Sequence, residues 1–174
     1  MVSTRTVLKE EYLKTIEDYG LFVDIFEYHN ISNNYFMQKV HFDMIKLKKM
    51  FINGYFYERI PENSNYPLLR KFREWISNRL GIKRILKIYN KEINKYSKKE
   101  NSQYVMSNWP TYKMNSEIQQ RKYLDDYIDV EFDGIKVMVT KHYDELLTNI
   151  FGNYMELPPE SKRVAHSLRA YWRK

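Results

Sequence analysis

Apolar positions arrive first as a block and then at helical spacing. LFVDIF (21–26) is apolar at every position but one, which predicts a short strand buried on both faces. Ahead of it, residues 9–19 carry Tyr12, Leu13 and Ile16 on one side and predict a short helix ended by Gly20. The polar, turn-like EYHNISNN follows. Residues 35–52 then place Phe36, Met37, Val40, Met44, Ile45, Leu47 and Phe51 at helical spacing, with Lys46, Lys48 and Lys49 on the wet side. A loop is expected over 55–66. Pro67 next occupies a first helical position, leading a helix whose apolar face is Leu68, Leu69, Phe72, Trp75, Ile76 and Leu80. Gly81 breaks it, and a second helical stretch continues through Ile85, Leu86, Ile88, Tyr89 and Ile93.

Residues 90–103 lose their apolar side and read as a solvated loop. Residues 107–115 are irregular, because Pro110 disfavours helix at Trp109. From Tyr127 the period becomes two: YIDVEF, then Asp133-Gly134, then IKVMVT, a strong hairpin signal. The next helix carries Leu146, Leu147, Ile150 and Phe151, with Asp144 and Glu145 in the first turn where the helix dipole favours them. Gly152 stops it. Pro158-Pro159 forms a stiff restart, and residues 161–171 predict a last, short, basic helix. The sum is an α+β fold, mostly helical, in one domain over 1–174, with a buried strand at about 21–26 and a hairpin at about 128–139.

Composition narrows the function classes. A 174-residue chain with 43% hydrophobic residues supports a real core. Its 16 Tyr and 9 Phe against 5 Gly suit half-buried walls and binding surfaces. The absence of cysteine excludes disulfides and thiolate zinc sites. The first residues lack the apolar core of a signal peptide, and no apolar run approaches the roughly 20 residues that span a bilayer. The expectation is a cytoplasmic protein, or one peripheral to the inner membrane face. A net charge of +7 points to an anionic partner. Basic residues cluster at 70–73, 83–84, 95–99 and 162–163 with tyrosines interleaved, but no DNA- or RNA-binding motif accompanies them, so nucleic acid is not expected.

Two places carry candidate chemistry. Asp24 lies inside an apolar strand, where a carboxylate costs several kcal/mol unless hydrogen bonds or a cation compensate it. Both a structural role and metal ligation fit that position. The second place is FGNYMELPPESKR (151–163). Here Tyr154, Lys162, Arg163 and His166 converge around the proline restart, and Lys162 and His166 share one face of the expected helix. The isolated glycines exclude a glycine-rich phosphate loop, and the scattered His29, His41, His142 and His166 show no metal-ligand spacing.

The order of these pieces resembles the C-terminal signature of the LicD family of phosphotransferases. That signature comprises a hairpin, Tyr143-Asp144-Glu145-Leu146-Leu147, Phe151-Gly152, Tyr154-Met155, Leu157-Pro158-Pro159 and Lys162-Arg163. GLFVDIF (20–26) is similar to a second family block, followed by Glu27 and His29 where the family has Pro and Asp. The resemblance implies a partial nucleotidyltransferase-like fold, as in the fukutin-like superfamily. It implies transfer of a phospho-alcohol such as phosphocholine from a CDP-activated donor onto a cell-surface glycan, such as lipopolysaccharide, teichoic acid or capsule. It further implies that Asp24 helps hold magnesium or activates the acceptor hydroxyl, and that Tyr154, Lys162, Arg163 and His166 bind substrate. The family's N-terminal block of a glycine turn and paired aspartates has no counterpart upstream of Asp24, where the acids are Glu10, Glu11, Glu17 and Asp18. The expectation is therefore the C-terminal portion of such an enzyme, inactive alone, with magnesium bound only when the missing carboxylates are supplied. The alternative is a non-catalytic basic scaffold docking on anionic membrane or phosphate polymer.

Overall fold

The computed structural model describes residues 6–9, 24–56, 67–163 and 169–172. In chain order the elements are β1 (Thr6–Lys9), β2 (Tyr28–Asn30), α1 (Tyr35–Phe56), α2 (Pro67–Leu80), α3 (Ile82–Ile93) and β3 (Tyr104–Ser107). There follow α4 (Met114–Glu117), β4 (Ile118–Gln120), β5 (Tyr127–Phe132), β6 (Ile135–Thr140), α5 (Tyr143–Phe151) and β7 (Arg169–Trp172). Helix and strand are both present and helix predominates, an α+β fold. The chain divides into two compact units. The helical unit is Met1–Ile25, Leu47–Tyr89 and Pro159–Lys174; the sheet unit is Phe26–Lys46 and Asn90–Pro158.

In the helical unit, Pro67 opens α2 as expected, and Gly81 at φ +75° ends it, its N–H bonded to the Ser77 carbonyl at 3.0 Å. Ile52, Ile85 and Tyr89 are buried. The side of α2 that packs is not its apolar one. Ser77 is fully buried, and a Cβ added at Gly54 of α1 would lie 2.9 Å from the Ser77 hydroxyl and 3.0 Å from Arg73 Nε, so the two helices meet closely at Gly54. Leu68, Leu69, Phe72 and Trp75, expected in the core, stand exposed instead. In the same unit β1 and β7 run antiparallel, Thr6 opposite Trp172 and Lys9 opposite Arg169. The expected helix over 161–171 is thus corrected at 169–172, where β1 supplies a backbone partner and Tyr171 and Trp172 favour strand. Of the expected 9–19 helix, Lys9 belongs to β1 and the remainder lies outside the described residues.

The sheet unit is built on an antiparallel sheet of order β2-β3-β4, with Tyr28 opposite Ser107 and Tyr104 opposite Gln120. Its core holds Ile31, Phe42, Ile45, Ile93, Val105 and Met106. Polar side chains fasten the loops to it. Asn30 donates to the Lys99 carbonyl at 3.0 Å, and Asn33 both donates to the Asn101 carbonyl (3.1 Å) and accepts from the Gln103 N–H (2.8 Å). Asn34 caps α1 by accepting from the Met37 N–H at 3.1 Å. His41, fully buried on α1, donates through Nε2 to the Glu92 carbonyl at 2.8 Å and meets the Tyr96 ring edge-on. Glu117, also buried, accepts the backbone N–H groups of Thr111 and Tyr112 and so shapes the loop after Pro110.

The hairpin stands where the alternation put it. Phe132 opposes Ile135, and Asp133 (φ 51°) and Gly134 (φ 76°) make the tight left-handed turn that the Asp-Gly pair favours. The strand expected at 21–26 fares differently. Residues 21–23 lie outside the described residues, while Asp24, Ile25 and Phe26 form no strand and are exposed. Pairing begins further on: the Asn108 N–H reaches the Glu27 carbonyl at 2.8 Å, and the strand proper is Tyr28–Asn30, held by β3.

Candidate functional site

A cleft of about 710 Å³ opens in the sheet unit. Helix α5 supplies one wall with Asp144, Glu145, Thr148 and Asn149, whose spacing puts them on one face. Tyr35 and Gln38 enter from the start of α1, Tyr104 from β3 and Gln120 from β4. Tyr123 comes from the short 3-10 turn Arg121–Tyr123. Asn149 fixes the wall: its amide donates to Gln119 Oε1 at 2.8 Å and to the Asn115 carbonyl at 3.1 Å, tying α5 to α4 and β4. The Gln119 side chain is fully buried, so this contact is anchored in the core.

The carboxylates at the start of α5 are each engaged. Tyr154 donates its phenol to Asp144 Oδ1 at 2.8 Å, closing the turn after Gly152 back onto the helix. That bond pushes the Tyr154 phenol above its ordinary range, because ionisation would set two anions together. Tyr154 is therefore a hydrogen-bond donor here. Glu145 approaches His142 Nδ1 at 3.3 Å, and the Tyr123 ring lies 5.7 Å from the imidazole. A bond from its own backbone N–H, then the His142 contact, holds the Glu145 carboxyl below the usual range. The cleft lining includes these two acids and no Lys or Arg. It is a polar, anionic, tyrosine-rich surface, suited to hydroxyl-bearing ligands and set against bare phosphates.

The expected site residues are divided between the two units, and one lies outside the described residues. Asp24 is exposed and outside any strand, so its charge needs neither hydrogen bonds nor a cation to compensate burial. Lys162 lies in the 3-10 turn Glu160–Lys162 and Arg163 follows it, exposed; both belong to the helical unit. His166 lies outside the described residues. Of the set, only Tyr154 belongs to the sheet unit; its partner Asp144 stands in the first turn of α5. Tyr35, Tyr104, Tyr123 and Asn149 were not singled out: they come from separate elements, and the abundance of tyrosine was their one signal. Among the described residues, no group of three or more His, Asp or Glu gathers as a metal site, and no helix is long and apolar enough to cross a membrane.

No family model matches the sequence, no curated protein matches it, and no solved structure matches it.

Proposed function

We propose that the chain is part of a LicD-like phosphotransferase, and that the sheet-unit cleft is its acceptor side, where a surface glycan lies. The observation carrying this reading is the Tyr154–Asp144 hydrogen bond at 2.8 Å. It links the Tyr-Asp helix and the Tyr-Met turn, two separated parts of the motif, and gives their spacing a physical purpose. A nucleoside diphosphate is a poor occupant of a cleft lined by Asp144 and Glu145 without a cation, since like charges repel strongly where solvent is displaced. Sugar hydroxyls suit carboxylate acceptors, amides and tyrosine rings.

The described residues do not make a magnesium site by themselves, with Asp24 in solvent and no acidic cluster. A divalent cation for the CDP-activated donor would rest on carboxylates outside them. The work of these residues is to bind and orient the acceptor, with Asp144 held by Tyr154 and Glu145 by His142. Placement of the whole at the cytoplasmic membrane face belongs to the same proposal.

The test is genetic and chemical. Removing the chain from its source cell should strip a phospho-alcohol substituent from a surface glycan, read by phosphorus NMR of the isolated glycan, and an Asp144→Ala copy should fail to restore it. An unchanged phosphorus spectrum defeats the transferase reading. Micromolar binding of CDP-choline to this chain alone, measured calorimetrically with magnesium and lost in Asp144→Ala, defeats the acceptor-side assignment.

A further inference from the structure

Helix α2 carries a surface that the cleft does not use. Leu68, Phe72, Trp75 and Arg79 recur at i, i+4, i+7 and i+11, one line along the helix. All four are exposed, Phe72 at 59% and Trp75 at 64%. The Phe72 and Trp75 rings stack, with centroids 6.2 Å apart and planes at 17°. Leu69 stands exposed beside them. Packing among the described residues of the unit gives no reason for this ridge, because α2 buries its Ser77 side near Gly54 instead.

Cations share the surface. Arg79 ends the line, and Lys71 is exposed one turn before Trp75. The only acid of α2, Glu74, is half-buried and lies off the line. The following helix in the same unit turns Lys83, Arg84 and Lys87 outward, opposite its buried Ile85 and Tyr89. Aromatic and leucine side chains with cations and no exposed acid on one helix face are what an interfacial helix presents to lipid. The rings enter the boundary between headgroups and acyl chains, and the long cationic side chains reach back to the phosphates.

We propose that α2 is a docking surface for an anionic lipid bilayer, with Leu68, Phe72 and Trp75 inserted and Lys71 and Arg79 on lipid phosphates. A second copy of the chain fits this face poorly. Two-fold pairing would set Lys71 and Arg79 of one copy against the same cations of the other, with no exposed carboxylate of α2 between them. The inference stands whether or not the chain belongs to a transferase.

The experiment is flotation of the full chain with vesicles of equal parts phosphatidylglycerol and phosphatidylcholine, beside vesicles of phosphatidylcholine alone. Binding should require the anionic lipid and weaken as salt rises. The double variant Phe72→Ser/Trp75→Ser should lose about tenfold or more in partitioning, with an unchanged circular dichroism spectrum. Should that variant not fold, acyl-brominated lipid provides a second readout: it should quench the part of the tryptophan emission that Trp75→Phe removes. Absence of flotation overturns the proposal. So does undiminished flotation of a folded double variant, or bromine quenching that is the same in Trp75→Phe. Self-association in sedimentation velocity that the double variant abolishes, without lipid binding, assigns the ridge to a second copy and overturns it equally.

Discussion

In the sheet unit, Gln119, His41 and Glu117 are buried and each is held by at least one hydrogen bond, and Ile45 is fully buried. In the helical unit, α2 buries a serine and leaves Phe72 and Trp75 in solvent. The first arrangement is what a core demands, because a buried polar atom costs more than it returns unless paired. The second reverses the usual amphipathic rule. What sets it is local: Gly54 and Ser77 permit a close approach that a larger side chain would block. Hydrophobic spacing therefore locates a helix well, and says less about which of its faces meets a neighbour in the same chain.

The sharpest way to break the comparison is to truncate one side chain in each unit. Ile45→Ala should destabilise by about 2–5 kcal/mol in urea unfolding, since Ile45 is fully buried. Trp75→Ala should stay within about 0.5 kcal/mol. Comparable losses from the two would show the ridge to be core after all. Gly54→Val should cost about 1–3 kcal/mol through crowding against Ser77, and Ser77→Gly in the same chain should recover part of it, read as a double-mutant cycle in chemical denaturation. Glu117→Ala should cost about 1–3 kcal/mol by leaving the Thr111 and Tyr112 N–H groups without their acceptor. Glu117→Gln, which keeps an amide oxygen there, should cost less in thermal unfolding.

The smallest effects belong to the cleft rim. Tyr154→Phe should lower Tm by only about 2 °C or less, while removing the alkaline dependence that its hydrogen bond confers. The folded Tyr154 phenol titrates above its ordinary value. Its stabilisation is thus full below that ordinary value and is lost as pH rises through the folded one. Glu145 runs the other way. Its folded carboxyl titrates below the ordinary range, so its contribution is present above that range and disappears as pH falls through the folded value. Thermal melts of the wild type, Tyr154→Phe and Glu145→Gln across acid and alkaline pH check both signs. An alkaline limb unchanged in Tyr154→Phe would detach that residue from the rim.

Much of the fold was legible because its elements carry strong local signals. Pro67, Gly81, Asp133-Gly134 and Gly152 each punctuate the chain where the backbone turns or takes positive φ. The strands β2, β3 and β4 were not legible. Each is three or four residues long and lies within polar sequence, so no alternation marks it, and pairing rather than propensity makes it a strand. Asp24 misled for a related reason: an apolar position is buried only where a neighbouring element covers it, and among the described residues strand pairing begins beyond Asp24, at Tyr28. Of the candidate site, Tyr154 stood out beside the Gly152 helix stop, and it bonds to Asp144 of the cleft wall. The cleft itself is assembled by tertiary packing from elements far apart in sequence, and no spacing rule reaches across such distances.

The ladder of β1 with β7 joins residues near opposite ends of the chain. Closing so long a loop carries the greatest entropic toll of any pairing here, so this ladder should zip last, after the Asp-Gly hairpin has formed on a microsecond scale. The same adjacency makes the molecule a candidate for circular permutation. A short linker from behind Trp172 to ahead of Thr6, with new termini cut at an exposed turn, would turn the slowest encounter in folding into a local one.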